Sequence, residues 1–323
     1  MAVLKNLILR PCNHKETTGY GHMVKKIKTS LEKYIPISLE ESGNLDLTIW
    51  PIADSNRIRP NKSIYLTMWE CSKLPDSVVN YINQCRMVIV PSKYCKNVFI
   101  ENKVNKPIAV VPLGVDAVTY SNSINDICTF GIAGTLFNRK NVHFVIKSFK
   151  KAFSDKNAIL KIKTTKSSML SHLNINSPKI NLNDNIMSEQ EMCKWYSSLD
   201  ALISCAHSEG FGLHQLEAMS CGIPLISPKF GGITEFFDEL VGYCVDYKIT
   251  DAKTDGDRIY DGHWCSAIES SLIEKMLIVY NNREHAKKLG VAARERASHF
   301  TWDRTALNLI KKINNYVNVF INY

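Results

Sequence analysis

ALISCAHSEGFGLHQLEAMSCGIPLISPKFGGITEF, residues 201–236, alternates strand-like runs with glycine turns and helical stretches. ALISCA (201–206) reads as a strand, SEGFG as a tight loop and 213–221 as a helix; IPLISP (223–228) and a short helix near 232–238 repeat the pattern. That rhythm implies a largely parallel sheet covered by helices. Gly210 and Gly212 let the backbone turn tightly. The amides of Phe211, Gly212 and Leu213 then stand at a helix start, a place suited to an anionic group. Glu209 and Glu217 are too far apart for one face of one helix, but the distance fits a loop acid followed by a helix acid. Such carboxylates can accept hydrogen bonds from a bound sugar (Glu209) and from ribose hydroxyls (Glu217). They can equally be two solvent-facing acids on a capped surface helix, and spacing alone does not choose between these readings.

The same alternation extends in both directions. Toward the start, LKNLILR (4–10), LTIW (47–50), SIYLTM (63–68), MVIV (87–90) and PIAVVP (107–112) read as strands. Val24, Ile27, Leu31 and Tyr34 recur at helical spacing over 22–34, with Lys25, Lys26, Lys28 and Lys33 around them as a basic amphipathic face. Val78, Val79, Ile82 and Cys85 mark another helix, and Ser92 caps one running to about Glu101. The polar stretch TYSNSINDI (119–127) reads as a linker, after which the pattern restarts with TFGIAG (129–134). A helix stripe on Val142, Val145, Ile146, Phe149 and Phe153, the strand AILKIKT (158–164) and a Ser188–Glu191 capping box follow. Residues 246–263 read as a polar loop insertion, and helices are expected over 265–280, 282–296 and 303–318. The expected architecture is α/β, with two Rossmann-like parallel-sheet domains facing across a cleft. The expected domains are 1–122, completed by the helix 303–323, and 123–302. Ligands in such sheets sit at the carboxyl ends of strands.

Composition narrows the class. The chain has 323 residues, 45% of them hydrophobic and 22% charged, which excludes collagen-like, disordered and coiled-coil readings. A net charge of +9 attracts anions, but the lysines are dispersed and form no long basic tail, so nucleic acid is not an expected partner. The ten cysteines form no CxxC pair or zinc pattern and read as reduced thiols. MAVLKNLILRPCN reads as a first strand rather than a signal peptide, and no apolar run reaches membrane-spanning length. The expectation is a cytoplasmic protein.

The segment 207–236 resembles the E-x7-E region of family-4 glycosyltransferases, a retaining family with the GT-B fold, and the match continues through Cys221-Gly222-Ile223-Pro224 and Gly231-Gly232-Ile233-Thr234-Glu235. Residues 64–116 are similar to the wE…lP…vpS…PlGvD half of the family's N domain. Residues 130–149 resemble the first strand–loop–helix of its nucleotide-sugar domain, and Phe300-Thr301-Trp302 resembles the start of its terminal helix. The resemblance implies transfer of a sugar from a nucleotide diphosphate sugar to an acceptor hydroxyl, with retention at the anomeric carbon. It implies Glu217 on the ribose, Glu209 on the donor sugar, and the backbone of Gly210, Phe211, Gly212 and Leu213 on the diphosphate or sugar. Lys140 would neutralise the leaving diphosphate. Gly134 belongs to the same phosphate loop. Thr135 stands where the family usually has arginine, which thins the phosphate clamp, and Arg139 is a further donor-side candidate that the sequence does not orient. Gly19, Tyr20, Gly21 and His22 resemble the glycine-rich loop near donor phosphates and acceptor, with His22 a candidate catalytic group and Glu70 a cleft-facing one.

The resemblance implies no metal or other cofactor. Asp255-Gly256-Asp257 imitates a metal-binding D-x-D but falls in a polar insertion. The implied acceptor is a glycan, glycoconjugate or lipid-linked compound, with weak peripheral membrane contact through the basic helix as a further expectation. Two other classes compete: a sugar- or nucleotide-binding module without catalysis, and a phosphorylase or epimerase on a related fold. Turnover across an acceptor panel separates the first, and dependence on inorganic phosphate the second.

Overall fold

The computed structural model describes residues 7–12, 19–39, 45–116, 126–165, 173, 175–253 and 260–320. They form two compact units, one from the described residues up to Gly114 and from Phe300 onward, the other from Val115 to His299. The polar stretch expected as a linker lies mostly outside the described residues, as do Asp255, Gly256 and Asp257.

The first unit begins with β1 (Leu7–Pro11), α1 (Gly19–Leu31), β2 (Ile37–Ser38) and β3 (Asp46–Ile49). It continues with β4 (Ser63–Leu66), α2 (Asp76–Ile82), β5 (Met87–Val90), α3 (Lys93–Glu101) and β6 (Ile108–Val110). Every pair in the resulting sheet is parallel, in the order β2-β1-β3-β4-β5-β6. Its central strands β3, β4 and β5 bury both faces, as parallel strands between helices do. Ser92 caps α3 by accepting from the Cys95 amide at 3.1 Å. Helix α1 runs from Gly19 to Leu31, so Gly19, Tyr20, Gly21 and His22 form its first turn rather than a loop, and Tyr34, outside the helix, is exposed.

The second unit holds β7 (Cys128–Ala133), α4 (Val142–Ala152), β8 (Ala158–Lys163), β9 (Ile180–Asn183), α5 (Glu189–Ser197) and β10 (Ala201–Ile203). After these come α6 (Leu213–Ser220), β11 (Leu225–Ser227), a 3-10 turn at Gly231–Glu235 and β12 (Gly242–Cys244). The six strands are again all parallel, in the order β12-β11-β10-β7-β8-β9. Chain direction across the sheet reverses between β7 and β10, and the loops after these two strands therefore border the switch point where such folds hold ligands. The core beneath is apolar, with Phe130, Phe149 and Phe153 packed ring to ring at 4.9–6.2 Å. The Ser188–Glu191 capping box opens α5 as the sequence predicts.

One expectation fails here. Residues 246–263 and 265–280 are not a loop followed by a helix. Strands β13 (Tyr247–Asp251) and β14 (His263–Ala267) pair antiparallel as a separate ribbon, and α7 (Glu269–Asn281) begins only after them. Tyr247 and Ile249 alternate with polar residues along β13, but both are exposed, and two apolar positions within a polar stretch are too short a signal to mark a strand. Helix α8 (Arg283–Ser298) ends the unit.

Helix α9 (Trp302–Phe320) belongs to the first unit. Lys33 pairs with Asp303 at 2.8 Å, Thr305 donates to the Pro112 carbonyl at 2.9 Å, and the His22 ring meets Trp302 edge-on at 6.2 Å. All ten cysteines are free thiols, eight of them buried. Among the described residues no helix is long and apolar enough to cross a membrane.

Candidate active site

The loop after β10 turns sharply because Gly212 adopts φ 100°, where a side chain would also strike Ile233 at 2.6 Å. Gly232 approaches more closely still: a Cβ there would lie 2.1 Å from the Gly210 carbonyl oxygen, and its own amide donates to the Glu209 carbonyl at 2.6 Å. The two glycine turns thus lock together and fix the backbone that carries Glu209.

Glu209 is 8% exposed and faces two cations from the loop after β7. Lys140 Nζ donates to Oε1 at 2.5 Å, and Arg139 Nη1 donates to Oε2 at 3.0 Å and to the Ser208 carbonyl. Burial by itself pushes this carboxyl's pKa upward. Lys140, followed by Arg139, outweighs burial and holds it down at about 2. Glu209 is therefore ionised at neutral pH, suited to accept hydrogen bonds and unsuited to donate a proton. Two other buried acids, Asp46 with Arg59 and Asp200 with Arg283, sit at the amino ends of β3 and β10, where they brace the fold. Glu209 is instead at the carboxyl end.

Glu217 is half-buried in α6. Tyr196 of α5 donates to its Oε2 at 3.1 Å, and His214 Nδ1 lies 3.4 Å from the same oxygen without hydrogen-bonding geometry. Gly134, at φ 136°, lies beside Lys140 and His214: a Cβ there would meet them at 3.6 and 3.8 Å, in ordinary van der Waals contact. The structure thus gathers Gly134, Arg139, Lys140, Glu209, Gly212 and Glu217 around the carboxyl ends of β7 and β10. Phe211 contributes only backbone, since its ring is fully buried against Phe236. Thr135 is exposed. A hollow of about 250 Å³ lined by Phe137, Asn138, Asn141, His143 and His207 borders the same loops but includes neither glutamate.

Sequence reasoning left the Arg139 side chain unplaced and missed Tyr196 and His214. Arg139 had one signal, adjacency to Lys140. Tyr196 had none, because its contact with Glu217 exists only once α5 lies beside α6.

In the first unit the Tyr20 hydroxyl lies 3.4 Å from Thr67 Oγ1 and accepts from the Met68 amide at 3.3 Å. Burial raises its pKa well above the ordinary value, and the charge of nearby Glu70 raises it further. Tyr20 and Glu70 are therefore neighbours, whereas His22 turns toward Trp302.

Two six-stranded parallel sheets with covering helices define a GT-B protein. Residues 125–259 match the family described as Glycosyl transferases group 1. A D-inositol 3-phosphate glycosyltransferase of Arthrobacter sp. (strain FB24) is 29% identical over 133 residues, 41% of this chain and 27% of that protein. An uncharacterized glycosyltransferase of Methanocaldococcus jannaschii is 25% identical over 235 residues, 69% of this chain and 58% of its own length. The chain thus spans about a quarter of the first relative and under two thirds of the second. The crystal structure of Anabaena HepE in complex with UDP and glucose superposes with a TM-score of 0.69 at 15% identity, covering 96% of this chain and 99% of that one, a likeness of fold. The family match falls within the second unit.

Proposed function

We propose that this protein is a retaining glycosyltransferase of the E-x7-E type, which transfers a sugar from a nucleotide diphosphate sugar to the hydroxyl of a glycan, glycoconjugate or lipid-linked acceptor. The observation that carries the reading is the buried Lys140–Glu209–Arg139 cluster at the carboxyl ends of β7 and β10. The family match over 125–259 covers those residues.

In this reading the chemistry is one of charge and placement. Lys140 stabilises the negative charge that grows on the departing diphosphate, and the first-turn amides of α6 add donors. Glu209, fixed by Arg139 and ionised, accepts hydrogen bonds from the sugar hydroxyls and orients the anomeric carbon. A glycosidase acid needs a raised pKa, and Glu209 has the opposite. Glu217 takes the ribose, while Tyr20 and Glu70 are assigned to the acceptor side. The cationic side chains carry the charge neutralisation, so no metal is assigned a role.

A screen of nucleotide sugars against glycan and lipid-linked acceptors, with products identified by mass spectrometry, tests the proposal. Transfer with retained anomeric configuration that survives EDTA is expected. Binding without turnover would instead support a sugar-binding module, and manganese-dependent rescue after EDTA would overturn the metal-free part.

A further inference from the structure

Glu217 is held from a second helix. Tyr196, on α5 rather than on α6, is 1% exposed and donates its hydroxyl to Glu217 Oε2. Its ring packs edge-on against Trp195 at 5.3 Å, and Trp195 in turn crowds Gly131 of β7. Burial and the Glu217 charge both raise the phenol pKa, so the group remains a donor at physiological pH. A glutamate side chain has freely turning torsions, and a half-buried one samples several orientations unless something restrains it. His214 Nδ1 lies 3.4 Å from Oε2 without hydrogen-bonding geometry. The Tyr196 hydroxyl supplies one such restraint on Oε2.

We propose that Tyr196 is a positioning residue: by holding one oxygen of Glu217 it presents the carboxylate to the vicinal hydroxyls of the nucleoside and sets a preference for ribonucleoside over deoxyribonucleoside diphosphates. The inference rests on the reading of Glu217 as the ribose ligand.

Calorimetric titration of the full chain with uridine, guanosine and adenosine diphosphates and their 2′,3′-dideoxy forms tests it. The wild type is expected to bind one ribo form about tenfold or more tighter than its dideoxy counterpart. Tyr196→Phe, which keeps the buried ring, is expected to shrink that ratio about three- to tenfold while leaving dideoxy affinity unchanged. In a Glu217→Ala background the same substitution should change neither affinity. If no diphosphate binds the wild type, the donor-site reading falls and the inference with it. If ribo and dideoxy forms bind the wild type equally, the ribose role of Glu217 is overturned. If the wild type discriminates and Tyr196→Phe keeps the full ratio, or weakens both forms equally, Tyr196 is a packing residue only and the donor-site reading stands.

Discussion

Glu209 keeps a full negative charge where only 8% of the residue meets solvent, and two cations make that tolerable. Its folded pKa is depressed, so the pair contributes stability above the ordinary carboxylate range and loses it as pH falls toward about 2. Urea unfolding at pH 6 and pH 3 should therefore show wild type more stable than Glu209→Gln at pH 6, with the gap narrowing at pH 3. The full difference is on the order of 2–3 kcal/mol. A gap independent of pH would show that the variant acts through packing. Kinetics separate the other two charged groups. Lys140→Ala should lower kcat by about 100-fold, since it removes charge stabilisation of the leaving group. Glu217→Ala should raise KM for the nucleotide sugar about tenfold with a smaller effect on kcat. Steady-state kinetics that leave both unchanged would remove the roles assigned to them. At this scale the sequence placed Glu209 in the loop after a strand and Glu217 on the following helix, because glycine turns and apolar runs mark those boundaries. It was silent on Tyr196, whose role depends on a neighbouring helix, and it could not orient Arg139.

The elements that position the site are glycine-defined turns between buried strands. Gly232→Ala places a methyl group against the Gly210 carbonyl and must push the 3-10 turn at Gly231–Glu235 away from the Glu209 loop. Thermal or urea unfolding should show a loss of about 1–3 kcal/mol, and transfer activity should fall with it. Normal stability together with normal activity would mean that the two turns are not locked. Strands such as Met87–Val90 and helices such as Lys93–Glu101 were legible because burial on both faces writes apolar runs and a serine cap writes a boundary. The β13–β14 ribbon was not. Tyr247, Ile249 and Asp251 are all solvent-exposed, and its pairing depends on partners 12–20 residues apart along a polar stretch. The Gly19–His22 turn misled in the other direction: two glycines suggested a loop, yet the chain is helical from Gly19, with α9 packed alongside α1.

The molecule as a whole consists of one continuous unit inserted into a discontinuous one, since α9 returns to the first sheet. The unit edges fall at 114 and 300, where the expected domain joints were 122 and 302. Removing residues 302–323 strips Trp302, Leu309 and Ile313 from the first unit, all three nearly fully buried. At about 1.5–3 kcal/mol for each such side chain, that loss exceeds the margin of many domains. Hydrogen exchange on the truncated chain should therefore show protection lost in β1–β6 and kept in β7–β12; protection kept in both would show that α9 is dispensable. The same connectivity sets a timetable during synthesis. The second unit, residues 115–299, can fold as soon as it leaves the ribosome. The first must wait with an uncovered apolar face while that whole stretch is translated, on the order of ten to forty seconds at 5–20 residues per second. Nascent-chain chaperones have that interval in which to engage it, and slower translation of the second unit would lengthen the exposure of the first.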